Sequence, residues 1–276
     1  METIHPLPES AGPDRTGMRT ERSTKWVRAF VGETAVVDSR APVLFFEDSF
    51  PVPGYAFAEE DVRVDLLRPT DEPPSDLPFF YRPKGPVVQW YDLHVDGRVV
   101  RHAAWRRDDP AIADRLVLSW QPGVLDRWME EEEEVFEHPR DPHKRVEAIA
   151  SSRHVQISLD GIELADSRSP VVLYETHLPP RYYLPRSDIR FEALEPSGNR
   201  SRCPYKGAAD EYWSVRDRAD AQHVAWSYAS PFPAVGKVAG MVAFYNELVD
   251  IAVDGVPQER PVTIFSSRAQ RPVSVS

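Results

Sequence analysis

Hydrophobic and polar residues alternate through Trp26-Val27-Arg28-Ala29-Phe30-Val31, the period-two pattern of a half-buried strand. Gly32-Glu33 predicts a tight turn, and Thr34-Ala35-Val36-Val37 the returning strand. The same figure follows further on: His154-Val155-Gln156-Ile157-Ser158-Leu159, a turn at Asp160-Gly161, then Ile162-Glu163-Leu164-Ala165. Asp-Gly is a strong hairpin signal because both turn positions take positive φ. Pro42-Val43-Leu44-Phe45-Phe46-Glu47 and Pro170-Val171-Val172-Leu173-Tyr174-Glu175 are continuously apolar and predict a strand covered on both faces. Asp61-Val62-Arg63-Val64-Asp65-Leu66 and Asp188-Ile189-Arg190-Phe191-Glu192-Ala193 alternate again and predict a further strand. The stretch from Gly240 to Val249 fits helix or strand. The 27 prolines sit mainly in the connections, which favours short strands joined by rigid turns over long helices. The expected class is all-β, mainly antiparallel sheets with little helix.

These paired elements are a duplication. Asp38-Ser39-Arg40-Ala41-Pro42-Val43 recurs as Asp166-Ser167-Arg168-Ser169-Pro170-Val171, Lys84-Gly85 as Lys206-Gly207, and Ala104-Trp105 as Ala225-Trp226. A repeat this long implies two tandem domains, not a solenoid. The expected boundaries are a disordered leader over 1–24, a degenerate first repeat over 25–136 and a linker over 137–145. An intact second repeat over 146–257 and a tail over 258–276 follow. The run Glu130 to Glu134 reads as a solvated surface segment or a contact for a basic partner.

Composition narrows the function. The chain has 276 residues, 41% hydrophobic and 28% charged, as ordinary globular domains do. A net charge of −11 lacks the basic footprint that nucleic acid needs. No apolar run reaches the roughly 18 residues of a membrane span, so neither nucleic acid nor membrane is an expected partner. One cysteine excludes an intrachain disulfide and a multi-cysteine zinc cage, and fits a reducing cytoplasm.

The ordered set Ala165-Asp166-Ser167-Arg168, Glu175, Tyr182-Tyr183-Leu184-Pro185, Asp188-Ile189-Arg190, Cys203-Pro204-Tyr205-Lys206-Gly207, Tyr212-Trp213-Ser214-Val215 and Ala225-Trp226-Ser227-Tyr228 resembles the domain-of-unknown-function 427 family. That family is small and mostly bacterial, with single and tandem members. The resemblance covers nearly all of 146–257 and, in degenerate form, about 25–135. It implies a β-tent-like fold, with antiparallel sheets and a groove between them. Relatives of that architecture include zinc-binding and methionine-sulfoxide-reducing proteins, but this chain has no Cys-x-x-Cys pair and no matching catalytic-cysteine motif. The family has also been likened to nucleotidyltransferases. Here no glycine–serine loop precedes a paired-aspartate strand.

Asymmetry between the repeats points to the second. Cys203-Pro204-Tyr205-Lys206-Gly207 stands where the first has Tyr81-Arg82-Pro83-Lys84-Gly85. A lysine three residues on can stand beside the thiol and favour its thiolate, the nucleophilic form. The alternative is a buried structural cysteine. Glu175, repeated as Glu47, is a general base if burial raises its pKa, or else the partner of an arginine. His223, repeated as His102, is a proton shuttle or a packing residue. Arg168, Asp188 and Arg190 suit an anionic group or an internal network. Tyr183, Tyr205, Trp213, Trp226 and Tyr228 could line an aromatic groove. Asp61 with Asp65, and Asp188 with Glu192, would share a strand face suited to Mg²⁺, or be plain solvated positions. His138 and His143 lack a third ligand. No metal or cofactor is expected. The reading is a small-molecule-handling protein whose ligand is anionic and partly apolar: an enzyme using Cys203 and Lys206, a non-catalytic binding module, or an interaction scaffold.

Overall fold

The protein is described here by a computed structural model covering residues 17–48, 50–263 and 265–266. The chain divides into two compact units, residues 1–141 and 142–276.

The first unit runs through β1 (Met18–Arg22), β2 (Val27–Val31), β3 (Thr34–Ser39), β4 (Val43–Glu47), β5 (Gly54–Phe57), β6 (Leu67–Thr70), β7 (Val87–Val95), β8 (Arg98–Arg107), β9 (Leu116–Leu118), β10 (Arg127–Glu130) and β11 (Glu133–Val135). A seven-stranded antiparallel sheet has the order β1-β4-β5-β9-β8-β7-β6, and a four-stranded sheet the order β11-β10-β2-β3. The second unit runs through β12 (Val146–Ala150), β13 (Val155–Leu159), β14 (Ile162–Ser167), β15 (Val171–Glu175), β16 (Arg181–Leu184), β17 (Leu194–Ser197), β18 (Ser201–Cys203), β19 (Gly207–Ala209), β20 (Glu211–Val215), β21 (Ala225–Ser227), β22 (Val242–Phe244), β23 (Asp250–Val253) and β24 (Val256–Gln258). Its sheets are ordered β12-β15-β16-β22-β21-β20-β17 and β14-β13-β23-β24. The large sheets correspond in strand number and order, and the second unit adds the hairpin β18–β19. The edge strands β6 and β17 carry Pro69 and Pro196 in matching places.

The alternating segments pair as their sequences require. Asp160 and Gly161 both take positive φ, 48° and 83°, between Leu159 and Ile162. In each unit the inward faces of both sheets meet in one core: Val27, Ala29, Leu44 and Phe57 in the first, Val155, Ile157, Val172 and Leu184 in the second. The space between the sheets, expected as a groove, is therefore filled by side chains. The outer face of each seven-stranded sheet carries a second, smaller cluster.

Several expectations need correction. Asp61 to Leu66 and Asp188 to Ala193 form pairs of single 3-10 turns, with Arg63 and Arg190 at ψ 69° and 72° between them. Only Val62 and Ile189 make an isolated bridge. Asp61 and Asp65 therefore share no strand face. Residues 18–22, assigned to the disordered leader, pair with β4, and 1–16 lie outside the described residues. In the acidic run Glu131 to Glu134 are exposed, as expected of a solvated segment, and only Glu130 departs: it is buried, holding Lys25 Nζ at 2.7 Å and accepting from Tyr55 Oη at 3.0 Å. Of the two forms open to Gly240 to Val249, the chain takes a strand over Val242–Phe244.

Candidate functional site

The extra hairpin lies over the outer face of the second unit's large sheet. Cys203 ends β18 opposite Gly207, and Pro204-Tyr205-Lys206 makes the turn. Gly207 has φ +99°, which is costly for any residue bearing a Cβ. The Lys206 N–H donates to the Cys203 carbonyl at 3.3 Å, and the Lys206 carbonyl accepts from the Phe232 N–H at 3.0 Å. Cys203 forms no disulfide and is half-buried as a residue.

Lys206 points inward and ion-pairs with Glu175 at the end of β15. Lys144 Nζ holds the other carboxylate oxygen at 3.0 Å and lies 5.2 Å from the centre of the Tyr205 ring. Burial alone would raise the Glu175 pKa, but the two ammonium groups outweigh it and hold the carboxyl below its usual range. Glu175 is thus an ionised counter-ion of lysines, neither a raised-pKa base nor the partner of an arginine. Burial likewise opposes the charge of Lys206, yet Cys203, Glu175 and Tyr183 together raise its pKa above that of an ordinary lysine. Burial pushes Tyr183 up to about 12 against the pull of Lys206, and Trp226 Nε1 donates to its hydroxyl at 3.3 Å. Tyr228 is raised well above its ordinary value by burial and by Tyr183, whose ring centre is 6.4 Å away.

The structure therefore gathers Cys203, Lys206, Glu175, Tyr183, Tyr205, Trp226 and Tyr228 on one face, but Tyr183, Trp226 and Tyr228, expected to line an aromatic groove, are buried there in a packed cluster. The remaining predicted residues lie elsewhere. Trp213 packs in the core between the sheets, 5.5 Å from Phe191. Asp188 accepts from Ser167 Oγ at 2.6 Å, and Asp61 from Ser39 Oγ at the same distance. This pin belongs to the fold, since both repeats have it. Arg190 pairs with Glu163 at 2.7 Å, and Arg168 is exposed. His223, with φ 54°, bonds Ser197 Oγ through Nδ1 at 2.8 Å, at the end of β21 away from Tyr228.

Two participants escaped the sequence reading. Lys144 sat in the expected linker. Arg181 makes two bonds of 2.7 and 2.6 Å to the buried carboxylate of Glu247 and a third of 2.8 Å to Asn246 Oδ1. Its visible signal was a guanidinium heading the apolar strand Arg181-Tyr182-Tyr183-Leu184.

The first repeat is wired differently. Two residues after the shared Ala-Trp pair it has Arg107 where the second has Tyr228. Arg107, 6% exposed, ion-pairs with Glu47. Lys84 turns outward, its Nζ 4.2 and 3.9 Å from the centres of the Phe50 and Phe79 rings. The carboxylate keeps a cation in both repeats, but a strand supplies it in one and a hairpin in the other.

One family model, described as a domain of unknown function (DUF427), matches residues 19–130 and again 147–255. The chain belongs to the DUF427 family. The two matched segments begin with β1 and β12, so this is a tandem DUF427 chain and the sequence repeat is a domain duplication. No curated protein matches it.

Proposed function

We propose that this tandem DUF427 chain handles a small molecule, and that its second domain carries the reactive end. The carrying observation is the thiol: Cys203, a half-buried residue beside the turn of the hairpin, lies within electrostatic reach of Lys206, Tyr183 and Tyr228. Cys203 would act as the nucleophile. Lys206, anchored on Glu175, would stabilise negative charge developing beside it. Tyr205, the half-buried ring beside the thiol, would contact a partly apolar substrate, over the buried cluster of Tyr183, Trp226 and Tyr228. The lone thiol suits a reducing cytoplasm. Among the described residues, no helix is long and apolar enough to cross a membrane.

A second reading, binding without covalent chemistry, is favoured by the commitment of Lys206 to Glu175. Alkylation of the native chain, followed by intact mass across pH, separates the two. Reaction in the folded state, slowed in Lys206→Met, supports the nucleophile; Lys206→Arg should retain most of the rate. A thiol that reacts only after unfolding would sink it and leave the binding module.

A further inference from the structure

The outer face of the first domain's large sheet holds an open cleft lined by Phe45, Phe50, Phe80, Trp105 and Trp120. Its existence follows from three replacements. Strand register pairs Phe45 with Gly54 and Val43 with Ala56, where the second domain pairs Leu173 with Arg181 and Val171 with Tyr183. Gly54 and Ala56 thus stand in the places of Arg181 and Tyr183, whose long side chains fill the matching face of the second domain. Phe45, replacing Leu173, covers only part of the loss: its ring lies so close to Gly54 that a Cβ there would be 2.3 Å from it. A ring-lined cleft with a few convergent polar groups is the usual form of a small-molecule site.

The cleft's chemistry indicates what that occupant is. Phe45, Phe50, Phe80, Trp105 and Trp120 supply aromatic walls. Trp226 Nε1 in the second domain donates to Tyr183. Trp105 has lost that acceptor to Ala56. Trp105 Nε1, Trp120 Nε1 and Arg107 Nε are all buried without an acceptor among the described residues. A buried donor left without an acceptor is unfavourable. These three atoms, all on residues that line the cleft, are donors, so the groups that would satisfy them are acceptors.

Charge agrees. Lys84 Nζ donates to the Phe79 carbonyl and Arg82 Nη2 to the Leu77 carbonyl at 3.0 Å; neither makes an ion pair among the described residues, although Glu47 attracts Lys84 from further off. Of the cleft's own carboxylates, Glu47 pairs with Arg107, which also faces Asp109 at 4.0 Å, and Glu137 accepts from Tyr81. Lys84 and Arg82 are left as the lining cations outside any ion pair among the described residues.

We propose that this cleft is a binding site for a small aromatic carboxylate, its ring among the tryptophans and phenylalanines and its carboxylate answering Lys84 and Arg82. This site is independent of Cys203.

The test is titration of the full-length chain with benzoate, read from the tryptophan indole N–H signals and assigned with Trp105→Phe and Trp120→Phe. Saturable shifts of the Trp105 and Trp120 signals are expected. Lys84→Gln should weaken binding roughly tenfold, about one charge-assisted hydrogen bond, while Cys203→Ser leaves it unchanged. Benzyl alcohol, acetate and benzylamine should each bind at least about tenfold more weakly. A thermal melt confirms the fold of the lysine variant, and Arg82→Gln replaces it if that variant unfolds. The proposal is overturned if benzoate moves neither signal, if affinity survives removal of the cation, or if benzylamine binds as well as benzoate.

Discussion

Glu175 shows how much one side chain's setting depends on residues remote in sequence. Its partners, Lys206 and Lys144, come from a hairpin and from the residues before β12. The repeat exposed Glu47 and Glu175, and Lys84 and Lys206, as corresponding residues. It did not reveal that the first pair is separated, because Arg107 takes over from Lys84. The alignment of Ala104-Trp105 with Ala225-Trp226 already contained the clue, an arginine opposite a tyrosine two places on. Long flexible cations choose partners in space, and spacing along the chain does not encode that choice. Breaking a buried pair leaves an uncompensated charge. Glu175→Gln should therefore lower stability by about 3–5 kcal/mol at neutral pH, measured by urea unfolding. The folded pKa of Glu175 is depressed. Its contribution is thus complete above the ordinary carboxyl value of about 4.3 and is lost as pH falls through the lower folded value. The gap between wild type and variant should close in acid; a gap independent of pH would mean that the carboxylate charge contributes nothing.

Hairpins were legible because their turns carry their own chemistry: Asp160-Gly161 needs positive φ at both positions and has it. The segments from Asp61 and Asp188 misled because two successive 3-10 turns bury Val62 and Ile189 and expose Arg63 and Glu192, which imitates alternation. The hairpin β18–β19 was recognisable by its cysteine and lysine, not by strand pattern, since each strand has only three residues. Its geometry hangs on Gly207. Gly207→Ala keeps ordinary contact with the Ser230 carbonyl at 3.6 Å but is strained at φ +99°. It should cost about 1–3 kcal/mol and alter the alkylation rate of Cys203 in the folded chain. An alanine variant with unchanged melting temperature and unchanged thiol reactivity would show that the turn does not set the thiol's position.

Duplication was the most legible feature of the whole molecule, because a repeated order of motifs survives where single side chains drift. The choice of the second domain as the place for chemistry followed the thiol. The open cleft, however, lies in the first, where side chains became shorter. Absence of a side chain leaves no motif, so only the paired register of β4 with β5 and of β15 with β16 exposes it. Each unit's clusters are drawn wholly from its own residues. A fragment of residues 142–276 should therefore fold by itself and keep the near-ultraviolet circular dichroism of its tyrosines and tryptophans; a disordered spectrum would refute that autonomy.

The prolines of β6 and β17 have a consequence of their own. An open sheet is a template on which a stray strand, from a nascent chain or a crowded neighbour, can continue the ladder. At Pro69 and Pro196 that template has no N–H to offer. When the ancestral domain doubled, the number of vulnerable edges doubled too, and the same interruption was inherited at both: the duplication carried its own brake on polymerisation.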